Sequence, residues 1–122
     1  MFSYEMEVCQ MDFTEISTIE QWEGALKSTS SKPALLFKHS TSCSISAAAH
    51  EELSAYLKDE RNDNVNYYLV KVIESRPVSN QIEVDLSVRH QSPQIIYIDN
   101  KTAKWDKTHW SITQSLLTDR LG

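Results

Sequence analysis

Residues 34–49 read ALLFKHSTSCSISAAA and predict a strand that runs into a helix. Four apolar residues in succession suit a short strand covered on both faces, which we expect over 34–38. The polar residues 39–42 then break the strand. From Ile45 onward apolar residues recur at steps of three and four, which is the period of an amphipathic helix. Cys43 therefore lies where a buried strand ends and a helix begins.

The rest of the chain continues the alternation and ends in a hairpin and a helix. Thr18 and Gln21 fit a capping box at the start of a first helix, before the buried strand. Residues 65–73 are rich in Val, Tyr and Ile and predict a second strand. The further elements expected are a third helix capped by Ser79 and ending near Leu86, strands over 94–98 and 103–106, and a last helix over 111–121.

This order of elements predicts an α/β fold. Alternating strands and helices imply parallel strands joined by right-handed crossovers, and the hairpin adds antiparallel edge strands. We expect a thioredoxin-like arrangement, with a central mixed sheet of four or five strands and helices on both faces. The prediction treats 1–122 as a single domain, with 1–12 as a variable lead-in, and an extra strand could precede the first helix.

Composition excludes several classes of function. The chain has 122 residues, and twelve basic against seventeen acidic side chains leave a net charge of −5, which disfavours binding to nucleic acid or to an anionic membrane. Its two glycines, Gly24 and Gly122, cannot build a phosphate loop or a dinucleotide turn. No apolar run approaches the roughly 20 residues that span a bilayer, and no secretory signal precedes the domain. We therefore expect a cytoplasmic protein with reduced thiols.

Cys43 is the candidate nucleophile. The unpaired N–H groups and the dipole at a helix N-terminus favour a thiolate over a thiol, and Lys38 and His39 could add positive charge. The alternative is that Cys43 is a small buried hydrophobic residue. Its neighbours in sequence are polar, which argues against that alternative. They are Thr41, Ser42, Ser44 and Ser46.

Cys43 and Ser46 have the spacing of a Cys-x-x-Cys redox motif, with serine in the fourth position. The Ser46 hydroxyl can donate a hydrogen bond to a thiolate, as can the backbone N–H of Ser44, but it cannot form a disulfide. Exchange at Cys43 would therefore stop at a mixed disulfide with another molecule, which an external thiol must resolve. The motif favours exchange with a small-thiol adduct over a dithiol cycle.

Ser92 and Pro93 come directly before a predicted strand, about fifty residues after Cys43. Proline removes a donor from the sheet ladder and so belongs at a strand start or edge, and X-Pro is the peptide bond for which the cis form is accessible. We expect a cis bond here, which would turn the carbonyl and N–H of Ser92 toward an extended substrate. An ordinary trans proline that starts a strand is the alternative.

Three motifs in this order resemble the monothiol bacilliredoxin family: KHSTSCSIS at 38–46, HQSPQ at 90–94, and 105–113 with its HWSIT end. The likeness covers about 12–117. That family is thioredoxin-like and belongs to bacteria that use bacillithiol. The resemblance implies that Cys43 attacks a mixed disulfide between bacillithiol and a client protein, takes up bacillithiol and frees the client.

The same resemblance implies a site and its partners. Free bacillithiol or a second bacilliredoxin would regenerate Cys43, with bacillithiol as co-substrate and no cofactor. The residues that match the family's motifs are Lys38, His39, Ser46, Ser92 and Pro93. The chain departs from the family in one place, because Ser44 follows the cysteine where proline is common. Proline pre-sets the first turn of a helix, whereas serine loosens it but restores an N–H that can bind a thiolate, so we expect exchange activity to survive this replacement.

Several other residues have simpler interpretations or point to other functions. Cys9 could resolve the Cys43 adduct, but we expect a passive thiol. His39, Cys43 and His50 do not offer the paired short spacings of a zinc site, so no metal is predicted. We expect His109 and Trp110 to pack against the last helix, with contact to a substrate as the alternative. The alternative functions are a non-catalytic thioredoxin-like binding module whose cysteine is only a modification site, and a protein that handles a metal or an oxyanion.

Overall fold

The structure is a computed structural model that describes residues 13–122. The lead-in predicted over 1–12, including Cys9, lies outside the described residues. No helix within the described range is both long enough and apolar enough to cross a membrane.

Five strands form one mixed sheet, in the spatial order β1-β3-β2-β4-β5. They are β1 (Thr14–Glu15), β2 (Ala34–His39), β3 (Asn66–Lys71), β4 (Gln94–Asp99) and β5 (Thr102–Thr108). The strands β1, β3 and β2 run parallel to one another, whereas β4 is antiparallel to both β2 and β5. The mixed sheet of four or five strands predicted from the sequence is confirmed, and β1 is its fifth strand.

Four helices and a short turn complete the part of the chain from 13 to 122. They are α1 (Ile19–Ser28), α2 (Ser44–Asp59), α3 (Arg76–Leu86), α4 (Gln114–Leu121) and a 3₁₀ turn (His109–Ser111). The capping box predicted for α1 is present, because the Gln21 N–H donates to the Thr18 hydroxyl at 3.1 Å and the Thr18 N–H donates to the Gln21 side chain at 3.2 Å.

Three predicted boundaries were wrong. Helix α3 begins at Arg76 rather than at Ser79, because Pro77 lies in its first turn, where a missing N–H costs nothing. The strand predicted over 65–73 is shorter and ends at Lys71. Helix α4 begins after Thr113, whose hydroxyl accepts the Leu116 N–H at 3.1 Å, and the residues just before it form the 3₁₀ turn.

The core has two halves, one on each face of the sheet. Successive strand residues point to opposite faces. Leu35 and Phe37 of β2 therefore pack with α2 and α4, whereas Leu36 packs with α1 and α3. Trp22 of α1 is buried in the second half, and its indole N–H donates to Asp85 at 2.8 Å.

One end of the sheet brings the predicted motifs together. Lys38 of β2 pairs with Gln94 of β4, and Gln94 pairs in turn with Thr108 of β5. The residues that directly adjoin these paired residues in the sequence therefore lie at the same end of the sheet. They are His39, Pro93 and His109.

Candidate functional site at the start of helix α2

Cys43 is the N-cap of α2, with an extended backbone of φ −109° and ψ 127°. Its N–H donates to the Ser40 carbonyl at 3.2 Å, and its carbonyl accepts the Ala47 N–H at 3.0 Å. The thiol is free and partly exposed, and within residues 13–122 the sulfur caps no helix N–H. The predicted position at the helix start is confirmed, and this exposure does not fit a buried hydrophobic cysteine.

Ser46 and His39 are brought together beneath this helix start. The Ser46 side chain is fully buried, and its hydroxyl oxygen accepts the Ser40 N–H at 3.0 Å. The same oxygen lies 2.6 Å from Nδ1 of His39. Ser46 therefore fixes the turn that carries Cys43, because Ser40 is also the residue that accepts the Cys43 N–H.

Burial lowers the pKa of His39 to about 4, and the ring of His50 adds to the lowering. The centroids of the two imidazole rings are 5.1 Å apart. Glu74 opposes the shift and Lys71 supports it, both through charge. His39 is therefore a neutral hydrogen-bonding group at physiological pH, so the positive charge that the sequence suggested for this residue is absent there.

The direction of the short His39–Ser46 hydrogen bond depends on the tautomer of the neutral ring. If Nδ1 carries the proton, it donates to Ser46, and the Ser46 hydroxyl proton is free to point to another acceptor. If Nε2 carries the proton, the Ser46 hydroxyl donates to Nδ1 instead. The tautomer of His39 therefore decides whether the Ser46 hydroxyl proton is bound to the imidazole ring, and a hydrogen bond from Ser46 to a thiolate at Cys43 stays a prediction.

An open groove of about 360 Å³ lies beside His39 on the α2 face of the sheet. Its lining is mixed, with apolar, imidazole and charged side chains. The lining residues are Phe13, Glu15, His39, Thr41, His50, Leu69 and Lys71. Glu15 and Lys71 form an ion pair at 3.7 Å across it, so their charges offset each other.

Lys38 occupies the opposite face of the sheet from His39 and is fully buried. Its ammonium group donates to the Ser79 carbonyl at 3.3 Å and lies 3.2 Å from Nδ1 of His90. Burial lowers the pKa of Lys38 to about 8, and the carboxylate of Glu83 opposes that shift. Lys38 thus contacts α3 and the loop before Pro93, and its role as a stabiliser of the thiolate stays a prediction.

Buried polar contacts hold the loop that precedes Pro93. The His90 N–H donates to Glu83 at 2.9 Å. The Gln94 side chain donates to the Arg89 carbonyl at 3.2 Å and accepts the Gln91 N–H at 3.2 Å. The sequence analysis did not predict these hydrogen bonds. The available signal was a glutamine at the start of the apolar strand β4, because a buried amide side chain needs hydrogen-bond partners.

The Ser92–Pro93 peptide bond is cis, as predicted. Pro93 is buried and its carbonyl accepts the His109 N–H at 3.1 Å. The Ser92 hydroxyl is buried without a hydrogen-bond partner in the described range. The predicted contact between Ser92 and a substrate stays a prediction.

Two further residues differ in their surroundings. Ser44 is exposed at the first position of α2. Trp110 is 70% exposed, so the expectation that it packs against the last helix was wrong.

No group of three potential metal ligands among His, Cys, Asp and Glu occurs within residues 13–122.

Comparison with known proteins connects this site to a family. The family model of "Monothiol bacilliredoxin BrxC" matches residues 14–117. A solved structure described as having a thioredoxin fold, and proposed to be an oxidoreductase, is 27% identical, with 94% of this chain and 97% of that chain covered and a TM-score of 0.78.

Two thioredoxins show the same fold at lower identity. Thioredoxin of Fasciola hepatica is 12% identical, with 90% of this chain and 100% of that chain covered and a TM-score of 0.70. Chloroplastic thioredoxin z is 20% identical, with 90% and 91% covered and a TM-score of 0.69. The thioredoxin-like fold predicted from the order of elements is confirmed.

Proposed function

Since this chain belongs to the monothiol bacilliredoxin family, we propose that it is a thiol–disulfide oxidoreductase that removes bacillithiol from protein mixed disulfides. The observation that carries the proposal is the placement of Cys43. It is a free, partly exposed thiol at the first turn of a long helix, at the same end of the sheet as Pro93.

The first step is an exchange of one disulfide for another. The Cys43 thiolate attacks the bacillithiol sulfur of the mixed disulfide, a bond forms between these two sulfurs, and the bond from bacillithiol to the client breaks. The client cysteine leaves with the electron pair of the broken bond as a thiolate, which takes a proton from solvent according to its own pKa. No net oxidation occurs in this step.

The second step regenerates the enzyme with an external thiol as reductant. The thiolate of free bacillithiol, or of a second bacilliredoxin, attacks the adduct and leaves with bacillithiol in a new disulfide, so that Cys43 returns as a thiolate. Ser46 cannot perform this step, because a hydroxyl oxygen does not replace a sulfur in disulfide exchange. This is the reason that the proposed cycle is monothiol and that bacillithiol is a co-substrate.

The residues around Cys43 have separate roles in this proposal. The N–H groups at the start of α2, including that of Ser44, favour the thiolate through the helix dipole. His39 directs the Ser46 hydroxyl, and Ser46 holds the turn through Ser40. Ser92 and Pro93 form the edge at which the client backbone binds. Lys38 supports that edge through His90.

The proposed setting is the cytoplasm of a bacterium that makes bacillithiol, because the cycle needs a reduced pool of that thiol. The partners are bacillithiolated proteins and the regenerating thiol. Nucleic acid and membranes are not proposed as partners, since the chain carries a net charge of −5.

A second candidate is a binding module whose Cys43 is only modified. The observation in its favour is that the Ser46 hydroxyl contacts His39 and Ser40, while the sulfur caps no helix N–H in the described range. This candidate takes up bacillithiol at Cys43 but does not release it from clients with turnover.

The experiment follows release of bacillithiol from a bacillithiolated client protein, with free bacillithiol present and the free client thiol as readout. We expect catalytic turnover by the wild type and loss of turnover in Cys43→Ser. The matched control is Cys9→Ser, which removes the other cysteine of the chain and should keep full turnover. Equal release of client thiol by the wild type and by Cys43→Ser would contradict the proposal. Release of one equivalent of client thiol per protein, without turnover, would favour the binding module.

A further inference from the structure

Trp110 is exposed in a chain that buries or pairs its other two tryptophans. It is 70% exposed, whereas Trp22 is 1% exposed and the ring of Trp105 stacks on Tyr97 with 5.4 Å between centroids. Large exposed apolar side chains are common singly and need no explanation by themselves. The position and the support of this indole are what separate it from such cases.

The backbone around Trp110 is anchored on both sides. The His109 N–H donates to the Pro93 carbonyl at 3.1 Å, and the Ile112 N–H donates to the His109 carbonyl at 3.2 Å. Ile112 itself is buried in the core beside α2. His109 has a left-handed backbone with φ 52°, a conformation that is uncommon for residues other than glycine. The exposed indole thus belongs to a fixed turn.

This turn lies at the same end of the sheet as the thiol. It packs against α2, the helix that Cys43 begins, and its first residue is bonded to Pro93. Thr108, the last residue of β5, pairs with Gln94 of β4, so His109 follows β5 directly beside Pro93. The turn that carries the exposed indole therefore flanks the proposed substrate edge on the side of β5.

The substrate edge also has unused backbone groups. Neither the N–H nor the carbonyl of Ser92 makes a backbone hydrogen bond within residues 13–122. Such a pair of groups is satisfied by another main chain in extended conformation, which adds to a sheet edge as a strand does. A small thiol offers no main chain of this kind, whereas the polypeptide that carries the modified cysteine does.

We propose that Trp110 is a contact surface for the client polypeptide rather than for bacillithiol. The inference rests on the proposed function. The client pairs its backbone with Ser92 and places an apolar side chain, near its modified cysteine, against the indole. Trp110 then sets which clients are processed, while Cys43 carries out the exchange.

The test compares two peptides and a small substrate. Both peptides are otherwise alanine and serine, carry one cysteine in a mixed disulfide with bacillithiol, and have either leucine or glycine at the second position on each side of it. The small substrate is bacillithiol disulfide. We expect Trp110→Ala to raise the KM for the leucine peptide about tenfold, since interface tryptophans dominate binding. The glycine peptide and bacillithiol disulfide should change by less than about twofold.

Two controls accompany this measurement. Trp110→Phe keeps an aromatic face and should retain most of the preference for leucine. Val84→Ala removes a side chain that is also 70% exposed, but on α3, which packs against α1 rather than α2, and it should change none of the three reactions.

Several results would overturn the inference. If Trp110→Ala raised the KM for bacillithiol disulfide as much as the KM for the leucine peptide, the small thiol and not the client would contact the indole. If Trp110→Ala kept the preference for the leucine peptide, Trp110 would have no role in client binding. A dimer of the wild type that Trp110→Ala dissociates would make the indole a contact between copies of this chain.

A binding measurement separates this inference from the proposed function. If the wild type exchanges no thiol with any substrate, the proposed function fails. Binding of a leucine peptide with serine in place of its cysteine can still be followed through the indole N–H signal of Trp110 in NMR, assigned with Trp110→Phe. A shift of that signal supports the contact, and binding without a shift, or no binding, contradicts it.

Discussion

Lys38 and His39 are consecutive residues, yet their side chains lie in two separate polar clusters on opposite faces of the sheet. His39 contacts Ser46 under the thiol, whereas Lys38 contacts Ser79 and His90 under the loop that precedes Pro93. The sequence predicts the same role for both residues, which is to add positive charge near Cys43, because they are adjacent in the chain. Because side chains alternate between the faces of a strand, one motif contributes to two sites, one beneath Cys43 and one beneath the loop before Pro93.

The first prediction concerns acid, where the His39 cluster should have the largest effect. His39 has a pKa of about 4 in the folded protein and about 6.5 when unfolded, so the unfolded chain binds more protons between these values. The free energy of unfolding should therefore fall by about 2 kcal/mol as the pH falls from 6.5 to 4.

The control for this titration is His39→Asn, which keeps a polar atom near Ser46 but cannot titrate. Denaturant unfolding of both proteins across this range gives the difference. His90, whose pKa is also lowered by burial, contributes equally to both and cancels. Equal acid sensitivity of His39→Asn and wild type would contradict the buried neutral His39.

The second prediction concerns base, where the Lys38 cluster should again make stability rise with pH. The pKa of Lys38 is lowered to about 8 by burial, next to Glu83 and His90, so the folded protein releases this proton before the unfolded chain does. Stability should rise by about 1–2 kcal/mol between pH 8 and 9.5, before tyrosines titrate. We expect no such rise in Lys38→Met, with both proteins compared in the Cys43→Ser background.

The third prediction compares two buried serines, one in each cluster. Ser46→Ala leaves the Ser40 N–H without its acceptor and should slow alkylation of Cys43 by iodoacetamide about tenfold, since the turn that carries the thiol loses its support. Ser79→Ala removes only a hydroxyl 3.3 Å from His90 on the other face and should leave alkylation within about twofold. Similar alkylation rates in the two variants would contradict the assignment of Ser46 and Ser79 to clusters with different effects on Cys43.

These clusters also mark the limit of what the sequence predicts. The strand and the helix around Cys43 are predicted by the spacing of apolar residues, and the capping box of α1 is predicted by residues that hydrogen-bond within one turn. Both signals are contained in a few neighbouring residues. The Lys38–Ser79 and Lys38–His90 contacts join residues that are 41 and 52 positions apart in the chain. No local pattern encodes such a partner.

The boundary errors have the same origin. Ser79 resembles an N-cap in sequence, but it is buried inside α3, because the packing of Val78 and Ile82 extends the helix back to Arg76. Trp110 precedes the last helix directly in the sequence, which favours packing against that helix. It lies instead in a 3₁₀ turn that begins with the left-handed backbone of His109, and the sequence does not reveal that turn.

The smallest predicted effect compares the two helix starts that belong to these clusters. Helix α3 has Pro77 in its first turn, whereas α2 has Ser44 at its first position. Ser44→Pro should raise the free energy of unfolding by about 0.5 kcal/mol, because proline restricts the unfolded chain. Pro77→Ser should lower it by a similar amount. Thermal unfolding of both variants checks the pair, and a large loss in Ser44→Pro would mean that its N–H has a structural role.

The central claim is that Cys43 is an accessible nucleophile that takes up bacillithiol reversibly. Intact mass spectrometry of the Cys9→Ser protein, incubated with oxidised bacillithiol, measures this directly. The account predicts a mass gain of one bacillithiol, located at Cys43 by peptide mapping and removed by excess free bacillithiol. No adduct under conditions that fully alkylate the denatured protein would contradict the account.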